Sequence, residues 1–324
     1  MRAGREVRRG GIRWYVEVEG EGPVLLLLHG TGASSHSFRT LAPLLAPRFT
    51  VVTPDLPGHG QTRPPSWFEP SLPCFAAAVD ELLDELQARP AVVVGHSAGA
   101  AVGARMILDR SVDPGAFIGL AAALTPLRGL ARRVLPGAAR ALSVAVSLGA
   151  FRGLGSSSRV DRILRSTGSA LEPEGVASYA ELFQRPEHVG AVLSMMAGWE
   201  LDGLWEELPA LRTETLLIAG SRDRAVPLAD QRAVAARLPR GSVQVVRGAG
   251  HLLHEEHPLL ISQILFRALP REVPHGFVDP RPGRAVAGVP GGDGVRVEGA
   301  RVAALAEAAP VEPPRGVGDG CERG

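Results

Sequence analysis

Apolar and polar positions along the chain follow two different periods. Residues 12–19 (IRWYVEVE) alternate at nearly every step, as a strand buried on one face does. VLLLLH (24–29), FTVVTPD (49–55), AVVVG (91–95), AFIGLAA (116–122) and ETLLIAG (214–220) are short continuous apolar runs, the pattern of strands covered on both faces. SVQVV (242–246) closes the series. Helical spacing lies between them, over 37–46, 75–87, 98–109, roughly 228–238 and 255–268. In FAAAVDELLDELQ (75–87), Leu82, Leu83 and Leu86 fall on one side. Strands that alternate with helices predict an α/β chain with a mostly parallel, doubly wound sheet.

The alternation stops between about 125 and 210. That stretch holds mainly helical patterns, with a Gly/Ser break at GLGSSS (153–158), and reads as a helical cap inserted between two sheet strands. The expected organisation is a core from 1–124 and 211–270, a cap over 125–210, and a tail over 271–324. In the tail 18 of 54 positions are Gly or Pro, a density at which a flexible, disordered segment is expected.

Composition narrows the function classes. The chain has 324 residues, 45% of them hydrophobic, and a net charge of +1, so no global field points to nucleic acid. All 35 basic residues are Arg, a bias of composition more than a choice for phosphate. The basic start, MRAGREVRRGG, is not followed by an apolar run, and the longest apolar stretches fall well short of a bilayer span. A cytoplasmic protein with no transmembrane segment is expected. Of the two cysteines, Cys74 and Cys321, the second falls in the expected tail, so a structural disulfide is not expected. Residues 128–152 pair an apolar face with Arg128, Arg132, Arg133, Arg140 and Arg152; a solvated face is the first reading, and peripheral membrane contact or a carboxylated porphyrin the second.

The chemistry begins at VVVGHSAGAAVG (92–103). Gly95-His96-Ser97-Ala98-Gly99 fits G-x-S-x-G, between a buried strand and a helix, with small residues that permit a sharp turn. The other reading is a plain turn with a serine cap. His96 is adjacent, but its side chain should point away from that of Ser97. A nucleophilic serine needs a base and an acid to orient it. Asp223 in GSRDRAVP and His251 in GAGHLLHEEHP stand just beyond strands, in the chain order Ser, Asp, His. His254 and His257 compete for the base; they read as a solvated helix start, and Glu255 and Glu256 suit the first turn of that helix. Asp202 and Glu200 read as surface charge. The loop His29-Gly30-Thr31-Gly32 offers the Thr31 N–H, and the helix start the Ala98 N–H, as oxyanion donors. Asp55 and His59 of DLPGHG read as loop-fixing residues, and His29 as a loop or pocket residue. Met195, Met196 and Trp199 of the cap are the remaining pocket candidates, suited to large flat or irregular ligands. No metal-ligand spacing is present, and no cofactor is expected.

Together HGTG, DLPGHG, GHSAG, Asp223 and His251 resemble the α/β-hydrolase superfamily over about residues 12–268. The resemblance implies an α/β-hydrolase fold with Ser97, Asp223 and His251 as triad. A serine stands where haloalkane dehalogenases and epoxide hydrolases carry aspartate. GEGPVLLLLHGTGASSHSFR, FTVVTPDLPGHGQTRPP, GHSAGAAVGARM and HVGAVLSMMAGWEL look like the magnesium-chelatase accessory proteins of bacteriochlorophyll biosynthesis. That resemblance implies a place in a pigment pathway, a small hydrophobic or tetrapyrrole-like substrate, and magnesium-chelatase subunits as partners. It leaves open a porphyrin- or chelatase-binding accessory without turnover, and an ordinary carboxylesterase outside pigment synthesis.

Overall fold

The computed structural model describes residues 4–126, 137–143 and 155–269. Eight strands form one sheet in the order β1-β2-β4-β3-β5-β6-β7-β8. They are β1 (Arg5–Arg9), β2 (Ile12–Glu19), β3 (Val24–Leu28), β4 (Thr50–Pro54), β5 (Pro90–His96), β6 (Ala116–Leu120), β7 (Glu214–Gly220) and β8 (Gly241–Val246). β1 pairs with β2, and β2 with β4, antiparallel; every later pair is parallel. β3 to β6 are almost wholly buried, as their apolar runs require, whereas β8 at the edge is largely exposed.

The two sides of β3 show how the sheet is covered. Leu26 and Leu28 face a cluster with Phe75, Val79, Leu82 and Leu83 of α2 (Leu72–Glu85) and Val102 of α3 (Ala98–Leu108). Leu25 and Leu27 face the opposite cluster, with Leu45 of α1 (Ala42–Leu45) and Ile261 and Leu265 of α11 (Pro258–Ala268). The period of two in an extended strand makes this division.

The chain leaves β3 toward β4 on one side and returns to β5 on the other. Open α/β sheets hold their ligand crevice at such a reversal, beyond the carboxyl ends of the strands. Leu28 is in register with Gly95, so the loops after β3 and β5 emerge side by side.

Between β6 and β7 stand α4 (residues 137–143), α5 (Ser157–Ser166), α6 (Pro173–Phe183), α7 (Pro186–Gly198) and α8 (Asp202–Glu207). Val160 and Leu164 of α5 and Val176, Tyr179 and Ala180 of α6 bury against Ala33 and Leu252, which belong to the loops after β3 and β8. α9 (Leu228–Arg237) connects β7 to β8, and α10 (Leu253–Glu256) precedes α11.

Some expectations need correction. The helix placed at 37–46 is a 3-10 turn, Ser35–Phe38, and the single turn α1. The helix placed at 255–268 breaks into α10 and α11 at His257, whose backbone leaves the helical region (φ −137°, ψ 54°) where Pro258 follows it. β1 escaped the sequence reading, since its alternation is polar and weak. The expectation about a Cys74–Cys321 disulfide turns on Cys321, which lies outside the described residues. The tail at 271–324, and most of the Arg-bearing stretch at 128–152, lie outside the described residues.

Candidate active site

Ser97 sits between β5 and α3 with φ 50° and ψ −116°, a left-handed conformation that L residues rarely adopt. It is held there by backbone bonds: its N–H donates to Leu120 O at 3.0 Å, and its carbonyl accepts from Ala100 at 3.1 Å and Ala123 at 3.1 Å. Its side chain makes no capping bond to α3. A serine present only to cap the helix would have extended backbone and a hydroxyl turned onto the first turn, so the plain-turn reading does not fit. Small neighbours make the bend possible. A Cβ on Gly99 would overlap the carbonyl oxygens of Leu28 and His29, and one on Gly30 would lie 3.0 Å from the Ser97 Cβ.

Asp223 and His251 meet across the ends of β7 and β8. His251 Nδ1 donates to Asp223 Oδ2 at 2.9 Å, and Asp223 Oδ1 accepts the N–H groups of Ala225 at 2.8 Å and Val226 at 2.9 Å. The carboxylate is thus fixed by three donors, and the imidazole keeps Nε2 free of that bond. His96 joins this pair to the serine. Its ring lies 4.8 Å from the His251 ring and donates from Nε2 to the His251 carbonyl at 3.1 Å.

The loop after β3 brings the other face. Residues 30–33 form a turn closed by the Ala33 N–H to Gly30 O at 3.2 Å, with Thr31 and Gly32 in its middle. Thr31 is exposed, and its hydroxyl reaches Met195 Sδ at 3.7 Å. Ala98 opens α3, where the first N–H groups of a helix have no partner within it.

The remaining candidates fall in different places. His29 is wholly buried: Leu56 N–H donates to its Nε2 at 2.9 Å, and its Nδ1 donates to Gly30 O at 2.9 Å. Burial holds its pKa down to about 3, so the ring is neutral and ties the loop after β3 to the one after β4. Met195 is 0% exposed, Met196 is 41% exposed, and Trp199 is half-buried with its ring 5.8 Å from Phe75. Asp55 fixes its loops as expected, accepting Ser35 N–H and Gln61 N–H, each at 2.7 Å.

His254, Glu255 and Glu256 are not a solvated helix start. His254 is 0% exposed and lies 4.4 Å from His96 and 5.0 Å from Phe38, ring to ring. The Glu255 carboxylate is enclosed, accepts Tyr179 OH at 2.8 Å and pairs with Arg39. Burial raises its pKa to about 7, partly opposed by Arg39. The short α10 lies between core and cap, so both its faces are covered.

Sequence reasoning also missed His188. It enters from α7, accepts Gly60 N–H on Nδ1 at 3.2 Å and donates from Nε2 to Gly32 O at 3.2 Å. The only signal was a histidine at the head of an apolar cap segment. Among the described residues, no three His, Cys, Asp or Glu side chains gather as a metal site, and no helix is long and apolar enough to cross a membrane.

Comparison with known proteins identifies the family and the fold. Residues 25–264 match the model of the Alpha/beta hydrolase family. The magnesium-chelatase 30 kDa subunit of Rhodobacter capsulatus is 42% identical over 257 residues, spanning 76% of this chain and 88% of that protein. A pimeloyl-[acyl-carrier protein] methyl ester esterase of Xanthomonas oryzae pv. oryzae is 31% identical over 272 residues, 78% of this chain and 97% of the esterase. An alpha/beta hydrolase fold protein from Burkholderia ambifaria superposes with a TM-score of 0.68 at 24% identity, covering 82% of this chain and all of that one.

Proposed function

The chain belongs to the alpha/beta hydrolase family, and from that premise we propose that it is a serine hydrolase of hydrophobic, ester-like substrates that acts in the cytoplasm beside magnesium chelatase. The observation that carries the reading is Ser97: a strained, uncapped serine on the reversal of the sheet, joined through His96 to an imidazole that a fixed carboxylate orients. Ser97 Oγ attacks the carbonyl carbon while its proton passes to His251 Nε2. The Thr31 and Ala98 N–H groups receive the oxyanion. The intermediate collapses, the C–O bond to the alcohol breaks, and the alcohol leaves with the proton from His251. Water then repeats the cycle on the acyl-serine: His251 takes its proton, hydroxide adds, and Ser97 leaves protonated. Asp223 holds the tautomer and stabilises the imidazolium throughout.

Met195 beside Thr31, with Met196 next to it on α7 and Trp199 just past the end of that helix, supports an apolar acyl or flat tetrapyrrole-like substrate. Similarity to a protein named as a chelatase subunit also favours a second reading, a porphyrin- or chelatase-binding accessory in which the triad is unused. Two measurements divide them. Purified protein treated with a fluorophosphonate should be labelled at Ser97 and should hydrolyse p-nitrophenyl butyrate; Ser97→Ala should lose both, turnover by about 10⁴-fold or more. An unlabelled, inactive wild type would overturn the hydrolase reading. In a strain that lacks the protein, Ser97→Ala should fail to restore pigment; full restoration would select the accessory reading.

A further inference from the structure

Residues 167–170, the turn between α5 and α6, belong to the cap by sequence, yet they lie against the backbone of the acid and base loops. A Cβ on Gly168 (φ +89°) would overlap the Arg222 carbonyl, one residue before Asp223. A Cβ on Gly250, one residue before His251, would lie 2.5 Å from Ser169 N and overlap Gly168. Main chain touches main chain at both points, which permits no side chain on either glycine.

Hydrogen bonds run across the same seam to both loops. Arg224 N–H, just after the acid, donates to Thr167 O at 3.0 Å. Leu252 N–H, just after the base, donates to the buried Ser169 Oγ at 2.8 Å. Glu256 closes the arrangement: Oε1 accepts Ala170 N–H at 2.9 Å, and Oε2 accepts Gly250 N–H at 2.7 Å. Each catalytic side chain is therefore flanked by residues that the cap turn grips. A turn that only covered the core would bond to one loop, or to neither.

We infer that residues 167–170 are a positioning element of the triad, wedged between the acid and base loops so that the His251–Asp223 alignment depends on the seating of the cap. Gly168 and Ser169 touch no reacting atom; they act through Arg222, Arg224, Gly250 and Leu252. Lifting α5 and α6 from Ala33 and Leu252 would withdraw the wedge, so the pair is aligned when the cap is seated over the site.

The inference rests on the hydrolase reading for its consequence in turnover, so its test includes a signal that needs none. The His251 Nδ1 proton shared with Asp223 should give a low-field proton NMR resonance in the wild-type protein. Gly168→Ala should weaken or abolish that resonance and lower kcat on p-nitrophenyl butyrate by about a hundredfold with KM little changed, the size expected of an ångström-scale misplacement. Ser169→Ala should do the same more mildly, about tenfold, from loss of one acceptor, and Ser169→Thr, which keeps the hydroxyl, should recover most of it. Leu82→Ala, buried in the α2 cluster away from the turn and from the contacts of α5 and α6, should lower Tm and leave the resonance unchanged.

If Gly168→Ala does not fold, the Ser169 pair decides. Folded Ser169→Ala protein with unchanged resonance and kcat would overturn the inference, as would a wild type without the resonance. A wild type that has the resonance but hydrolyses nothing, with Ser169→Ala losing it, would defeat the hydrolase reading and leave this one standing.

Discussion

The two halves of the candidate site are held in different ways. On the serine side the backbone contacts at Ser97 come from neighbouring sheet elements: the loop after β3 lies on Ser97 through Gly30, and α3 lies on Leu28 and His29 through Gly99, although His188 of the cap also holds Gly32. On the acid–base side the carboxylate and imidazole project from edge-ward strands, and their loops are gripped by a turn from a different layer, residues 167–170. The backbone of the candidate nucleophile is therefore set by the core, while in the inference drawn above the candidate base is positioned by the cap as well. A site built this way can keep a strained serine permanently in place and align its base when the cap is seated.

Perturbations should separate the halves. The largest effect is expected from Asp223→Asn, which keeps the shape of the acid loop but spoils the His251 tautomer: kcat on a p-nitrophenyl ester should fall by about 10⁴-fold with Tm nearly unchanged. A loss below tenfold would mean that the acid–base side does not drive turnover. Next comes Gly99→Ala on the serine side, where the added Cβ meets rigid backbone; it should cost about 3 kcal/mol of stability by urea unfolding and reduce activity through misfolding, not through a shifted pH profile. A normal stability would break the claim that core backbone contact sets the serine.

His188→Ala should act more weakly. It leaves Gly60 N–H and Gly32 O without their partner, a cost of about 1–3 kcal/mol. Because Gly32 belongs to the loop after β3, kcat should fall severalfold as well, while the His251 resonance stays in place. Loss of that resonance would show that the halves are not separable.

The smallest effect is a pH slope. Burial holds His29, His36, His59, His188 and His254 down to about 3 from 6.5. In that window the unfolded chain binds protons that the folded one does not, so their contribution to stability is lost as pH falls below about 6.5. Glu255 at about 7 and Asp55 at about 6 act oppositely, each losing its contribution as pH rises through those values. Five histidines outweigh two carboxyls, so Tm should fall from pH 6.5 to pH 5, and His188→Gln should flatten the fall. A Tm that rises on acidification would reverse this assignment.

How much of this could be read from the chain varies by element. The central strands were plain because continuous apolar runs such as VLLLL have no stable place but a doubly covered sheet. The glycines of GHSAG and HGTG marked the close approach at the serine, since contact between neighbouring strands and the helix that follows leaves its mark in a local motif. Asp223 and His251 were found by chain order beyond strand ends. His254 misled, because a polar residue at a helix start looks solvated unless the layer that covers it is known. His188, Gly168 and Ser169 carried little local sign, because the partners that matter here lie 54 or more residues away in other elements.

The sequence by itself determined the parallel sheet, the bend at Ser97 and the order of the three candidate catalytic residues. Each follows from local periodicity or from a motif whose steric reason lies within a few residues. Only the tertiary structure decided which buried polar groups serve as latches, and that the turn of the cap sits between the acid and base loops. Those are contacts between main chains far apart in sequence, and a backbone carries no residue-specific signal until the fold brings it to another.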